Sequence, residues 1–430
     1  MPRLTVQVCR LLLALVLGLI LAPSQALAQD KEITVLMHSV HLGALGGEEG
    51  LIREFEEQTG ISLDIVTGGT NQIYEQALTA WVGGAQTFDA MIWLPRWLTE
   101  DVVDFFEPVD PYLENASGEY EVEDLIPSLL DGGRFPRGDG TAYLIPFRVG
   151  VAMLYYNQDL FAQAGLEAPT NWQEFREAAL ALSQDTDGDG TTDVYGWGQR
   201  GITREVAEDF YRVGFGFGGE MLSADLSQCT MNSQPWVDAL TLWVDMFEQG
   251  ALPPDLLAWG RDDYILGMQQ GDVAMSIMYG PYWGLLTNPE DSEIADGVGW
   301  TVVPSAPGVE EGRTQYSAWS WGISGDSDQK DAAWQFIQFA TNKENQLIAA
   351  LEYDNGPTRA SVYQDQQYQE RFPVAAGWLE ALRSSSQVVA HADLPRMDDI
   401  ISEELHNALQ GNKSPQEALD GACRRIQPLL

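Results

Sequence analysis

Lysine is nearly missing from this chain. The 430 residues carry 64 Asp and Glu against 23 Lys and Arg, a formal charge of −41, and lysine occurs only at Lys31, Lys330, Lys343 and Lys413. Nucleic-acid binding needs basic patches that displace counterions, so the imbalance argues against it. It argues equally against docking on an anionic membrane surface. Two readings of the acid surplus stay open: an ordinary acidic, soluble surface, or adaptation to salty surroundings, where screening weakens self-repulsion. Long apolar runs are also lacking. Beyond the N-terminal segment no stretch reaches the roughly 18 apolar residues a membrane-crossing helix needs. Cysteine appears three times, at Cys9, Cys229 and Cys423, and histidine four times. His38 and His41 have no cysteine nearby, so polar or packing roles outweigh a metal pair. No nucleophile elbow is present, because the nearest run, 322–326, ends in Asp326 where that motif needs glycine. Gly214, Gly216, Gly218 and Gly219 miss the two-residue gap of a dinucleotide loop.

What is present begins with a core. The composition is 45% hydrophobic, enough for two or three domains of about 150 residues each. Arg3 and Arg10 flank a short basic region, residues 11–22 are almost wholly apolar, and Ala26-Leu27-Ala28 supplies small residues around a cleavage point. This is the pattern of a signal peptide, 1–28, with an exported mature chain beginning at Gln29. Cys229 and Cys423 then remain. An oxidising compartment permits a bridge between them, with two buried free thiols as the alternative.

Short apolar runs at 33–37, 61–66 and 88–93 alternate with helical stretches at 49–59 and 74–81. Such alternation points to βαβ units and a parallel sheet. After an irregular acidic stretch, 108–124, strand-like runs return at 143–146, 151–156 and 272–278. Helices are expected at 172–183, where Asn171 can cap the first turn, and at 235–249, 329–341, 397–409 and 415–430. No repeat and no long linker is apparent, so two α/β lobes joined by short crossovers fit best.

Two constellations carry chemistry. Asp185, Asp187 and Asp189 alternate, and Gly190, Thr191 and Asp193 follow. Alternating carboxylates on a turning loop suit calcium, which wants six to eight hard oxygens. Position twelve is Gly196 in place of the usual bidentate Glu. A structural calcium site and a solvated acidic turn both remain open, and no catalytic cofactor is implied. The second constellation is aromatic: 14 Trp, 15 Tyr and 15 Phe. Trp93, Trp97, Phe147, Tyr282, Trp283, Trp319 and Trp321 fall at strand ends or in loops. Arg96 and Arg148 lie beside several of them. Ligands of open α/β sheets bind beyond the carboxyl ends of strands. Flat rings cover the C–H face of a sugar while polar neighbours serve its hydroxyls. A carbohydrate suits this set.

The segment Tyr143-Leu-Ile-Pro146-Phe-Arg-Val-Gly150 continues through Tyr155-Tyr156-Asn157-Gln-Asp159-Leu-Phe161. Ala164-Gly165 and Pro169-Thr-Asn-Trp172 follow. It resembles the family-1 extracellular solute-binding proteins of sugar ABC transporters, the group containing maltose-binding protein. Supporting segments are Phe55–Ile61, Asp89–Trp93, Gly271–Met275, Ser320–Ser324 and Lys330–Phe336. The resemblance implies a two-lobe periplasmic-binding-protein fold with hinge crossovers and a ligand cleft. It implies an N-terminal lobe of 29–147 plus 318–357 and a C-terminal lobe of 148–317 plus 358–430. It places ligand contacts at Trp93, Arg96, Trp97, Phe147, Arg148, Tyr282, Trp283, Trp319 and Trp321, and His38 and Arg359 are further candidate contacts. Gly150 stands where maltose-binding protein carries an acid, which argues against maltose. The function implied is a monomeric, non-catalytic periplasmic receptor that delivers a sugar, polyol or short oligosaccharide to an ABC permease. Two alternatives stay open. One is an acidic sugar such as a uronate, paired by Arg148 or Arg359. The other is a secreted carbohydrate-active enzyme with two carboxylates across a cleft.

Overall fold

The computed structural model describes residues 31–84 and 86–430. The expected signal peptide, 1–28, lies outside the described residues. Among those described, no helix is long and apolar enough to cross a membrane.

Seven strands form one sheet: β1 (Lys31–His38), β2 (Ile61–Gly68), β3 (Ala90–Trp93), β4 (Leu144–Asn157), β5 (Met275–Tyr279), β6 (Val298–Thr301) and β7 (Tyr316–Ile323). Their order is β2-β1-β3-β7-β4-β5, with β6 also paired to β4. β1 runs parallel to β2 and β3, as helical crossovers require. β7 and β4 run antiparallel to their neighbours.

β4 carries the architecture. The sequence suggests two short strands here, and the structure has one strand of 14 residues. Its first residues, Leu144, Ile145 and Phe147, belong to a core with Phe55, Trp93, Trp321 and Phe336. Ala152 and Leu154 belong to a second core with Trp197, Phe210, Trp236 and Trp243. On the opposite face Val149, Val151, Met153 and Tyr155 join Tyr264, Tyr316 and Trp378 in a third. The strand thus threads from one hydrophobic centre into the other, crossing near 147–150. The segment 354–358 crosses beside it: Val149 N–H donates to the Gly356 carbonyl at 3.0 Å. A Cβ on Gly356 would stand 1.8 Å from the Val149 oxygen, so this close approach requires glycine.

Local chemistry sets the helix limits. Asn171 accepts hydrogen bonds from the backbone of Gln173 and Glu174 and starts the helix Trp172–Leu182. That helix buries Phe175, Ala178, Ala179 and Leu182 on one face. The stretch 108–124, irregular by sequence, contains the short helix Asp110–Glu114 and two 3-10 turns. Cys229 and Cys423 are joined by a disulfide across 194 positions, which ties the C-terminal helix Pro415–Ile426 to the second core.

Candidate functional site

The face of the sheet at the crossing presents a ring cluster. β1 ends at His38, whose Nδ1 accepts from Val40 N–H at 3.1 Å, and the following turn carries His41. β3 ends at Trp93 and leads through Pro95 to Arg96 and Trp97. β7 sets Trp319 opposite Arg148, and Ser317 opposite Gly150, of β4. Trp319 is the centre: its ring lies 4.9 Å from His41, 5.6 Å from His38 and 5.6 Å from Trp97.

The second core supplies the facing wall. The helix Glu205–Gly216 offers Glu208 and Tyr211, β5 ends at Tyr279, and the helix Leu394–Leu409 offers Asp398. A cavity of about 350 Å³ lies between the walls, lined by Tyr74, Arg96 and Trp97 on one side and by Glu208, Tyr211 and Asp398 on the other. A second cavity of about 580 Å³ lies at the edge of β4, lined by Arg148, Gly150, Trp283, Asp354 and Asn355 among others.

Charge on the facing wall is built up from below. Asp209 is fully buried between Arg200 and Arg212, with Arg212 Nη1 at 2.9 Å. Arg200 also reaches Glu208 at 3.0 Å, and Tyr279 donates its hydroxyl to the same carboxylate at 2.9 Å. Burial pushes the Glu208 carboxyl upward, but the nearby Arg200, Arg212 and Arg96 charges overcome it and hold the group at about 2. Asp398 behaves oppositely. Burial raises it to about 6, even though Tyr211 donates a hydrogen bond to it at 2.5 Å. Burial, then the Arg148 charge, depresses both His38 and His41, so both rings are neutral near pH 7. Neither ring nitrogen of buried His41 has a hydrogen-bond partner.

The structure separates the expected contact residues. His38, Arg96, Trp97, Arg148 and Trp319 are brought together, half-buried, at the crossing. Trp283 lines the edge cavity, while Tyr282 turns away to Arg261, whose Nε donates to its hydroxyl at 3.2 Å. Trp93, Phe147 and Trp321 are corrections: all three are fully buried. Trp93 is enclosed by Tyr74, Trp81, Trp97 and Phe106. Trp321 lies two residues beyond Trp319, where Phe336 and Phe147 cover it. Arg359 is a correction as well. It has no exposure, gives its Nε to the Thr341 carbonyl at 2.5 Å and its Nη1 to the Glu121 carbonyl, and lies over the Tyr120 ring. It is a structural cation and lines neither of the two cavities described above. Glu208, Tyr211, Tyr279 and Asp398 were missed. No local motif singles out two carboxylates among 64, and their meeting depends on contacts of nearly 190 positions.

In the acidic loop, carboxylate oxygens of Asp185, Asp187 and Asp193 lie within 4.8 Å of one another, and the Asp189 carboxylate is outside that group. Asp185 also accepts from Gly188 and Gly190 backbone N–H, at 2.6 and 2.8 Å. Both glycines have positive φ, 80° and 92°, which the turn requires.

With the geometry in place, likeness to known proteins becomes informative. The profile of the bacterial extracellular solute-binding proteins matches residues 44–347. This chain belongs to that family. A probable amino-acid ABC transporter periplasmic-binding protein of Sinorhizobium fredii is 23% identical over 392 residues, covering 88% of this chain and 85% of that one. The mannitol-binding protein of Pseudomonas aeruginosa is 29% identical over 285 residues, covering 63% of this chain and 62% of that one. A solute-binding protein of Agrobacterium radiobacter, solved with ribitol, superposes with a TM-score of 0.76 at 22% identity, over 93% of this chain and 99% of that one. The fold is accordingly the two-lobe α/β architecture of these receptors, and the chain is an extracellular binding protein by family.

Proposed function

We propose that this protein captures a compact carbohydrate, most simply a polyol, in the cleft between the Trp97–Trp319 ring pair and Glu208 and presents it to an ABC permease. The observation that carries the reading is the approximately 350 Å³ cavity with Tyr74, Trp97 and Arg96 on one wall and the carboxylates of Glu205, Glu208 and Asp398 on the other. Ligand pockets run from about 300 to 1,000 Å³, so this one suits a single short molecule better than a long oligosaccharide. Hydroxyls donate to carboxylates and accept from guanidinium groups, while rings cover C–H faces. The mannitol and ribitol names among the relatives support the same class.

A ligand touching both walls favours the closed arrangement by its differential affinity. The lobe boundaries proposed are those at 147–148, 317–318 and 357–358. The receptor acts without turnover, as a monomer in the periplasm, after cleavage following Ala28. The acidic loop is proposed as a structural calcium site, tested by thermal unfolding with calcium and with a chelator.

The main test is calorimetric titration with mannitol, ribitol, erythritol, maltose and an amino acid. One-to-one binding of a polyol supports the reading. Binding of the amino acid alone, or turnover of an oligosaccharide, overturns it.

A further inference from the structure

Two arginines in this chain lack partners where partners matter. Among the described residues, every other buried or half-buried arginine holds a carboxylate or a carbonyl: Arg200 and Arg212 share Asp209, Arg359 holds Thr341, and Arg134, Arg176 and Arg313 each hold an acid. Arg96 and Arg148 are half-buried and make no hydrogen bond or ion pair. Arg96 lines the cavity between the walls, and Arg148 lines the edge cavity. In a sequence with 64 acids against 23 basic residues, an acid partner for either could readily have been supplied.

The two differ. Arg96 faces Glu208 and Asp398 across the cleft and feels both charges. Arg148 has only Asp354 acting on it from a distance, while burial works against its charge. A guanidinium that is partly desolvated and unpaired is costly unless a ligand supplies the anion. The neighbours of Arg148 fit that role. Trp319 stands opposite it in the strand register. The Nδ1 of neutral His38 already accepts from Val40, so its Nε2 carries the proton and donates.

We propose that the natural ligand is an anionic polyol, a hydroxylated chain or ring bearing one carboxylate or phosphate, with the anion seated on Arg148 and His38. The hydroxylated remainder lies against Trp319, which stands opposite Arg148 and 5.6 Å from the His38 ring. The guanidinium fork matches either anion in bidentate fashion. This inference rests on the receptor reading above and narrows its substrate class.

The experiment is calorimetric titration with matched pairs in 0.15 M salt, where the Debye length is about 8 Å and the chain's overall negative charge is screened. The probes are mannitol against mannonate, glucose against glucuronate, and mannitol against mannitol 1-phosphate. They are run on the wild type, Arg148→Gln and Arg148→Lys, each checked for an unchanged far-ultraviolet spectrum. The inference expects an acid to bind about 10- to 100-fold more tightly than its neutral partner, the span expected of a charge-assisted hydrogen bond. That preference falls to near unity in Arg148→Gln and is partly kept in Arg148→Lys. Preference for mannonate over the phosphate identifies a sugar acid, and the reverse identifies a phosphate ester. Equal or tighter binding of the neutral partner overturns the inference while leaving the receptor reading intact. A preference that survives Arg148→Gln also overturns it. Binding of no carbohydrate, neutral or acidic, overturns both.

Discussion

Replacing Asp209 by Asn tests the charge network beneath the cleft. Asp209 and Arg212 are both fully buried, 2.9 Å apart, and Arg200 reaches the same carboxylate. At an effective dielectric constant near 20, one such pair gains roughly 332/(20 × 2.9), or about 6 kcal/mol. Desolvation costs several kcal/mol per ion, so the intact pair contributes little net. The asymmetry appears when one partner goes. Buried Arg212 is then left without an acid, and Arg200 keeps only Glu208 and Glu205, which costs about 3–5 kcal/mol. Unfolding entropy is about 2.1 cal/mol/K per residue, or about 0.8 kcal/mol/K for some 400 residues. The expected fall in the midpoint temperature is therefore about 4–6 °C. The assay is scanning calorimetry of Asp209→Asn, Arg200→Gln and the double variant. The double variant should lose less than the sum, because the directly paired Asp209 and Arg200 are then removed together. A fall below about 1 °C for Asp209→Asn, or strict additivity, would mean that the buried pair carries no such asymmetric cost.

Three further outcomes follow from the same geometry. Trp319→Ala should weaken polyol binding about 10- to 100-fold, as loss of a central aromatic anchor does, with the unliganded midpoint temperature nearly unchanged; unaltered affinity removes Trp319 from the site. Asp398 titrates at about 6 in the fold against about 4 when exposed. The folded state therefore binds the extra proton between those values, and the penalty on its ionised form enters as pH rises through that window and persists above it. Asp398→Asn should raise the midpoint at pH 7.5 and leave it unchanged at pH 3.5; a fall at pH 7.5 contradicts the shift. Replacing Cys229 and Cys423 together by Ser opens a loop of 194 positions and should cost about 2–5 kcal/mol in denaturant unfolding; no loss would mean the bridge leaves the unfolded chain's entropy unaltered.

Periodicity carried much of the fold. The parallel β1–β3 ladder follows from apolar runs between helices of about ten residues, and Asn171 marks the start of its helix because its side chain can reach two backbone donors. The long β4 was harder. Gly150 and the exposed side of Arg148 interrupt the apolar pattern just where the strand passes between cores, and a Cβ at Gly150 would come within 3.1 Å of Pro281. Periodicity alone cannot bridge such a gap. The site was half legible. Trp319 and Trp321 share one face of β7, and nothing local says that Phe336 covers one and leaves the other at the rim. Trp93 and Arg359 have the residue types of a sugar site, but packing assigns them to the interior. Glu208 and Asp398 gain meaning only when distant helices bring them opposite Arg96.

A crystal structure with the tightest-binding member of the carbohydrate panel would locate the ligand in the protein. One molecule is expected in the cleft, stacked on the Trp97–Trp319 pair, with hydroxyls within hydrogen-bond distance of Arg96 and of Glu208 or Asp398. A ligand seated wholly in the edge cavity by Trp283 and Asp354, with the Trp319 cleft empty, would contradict it.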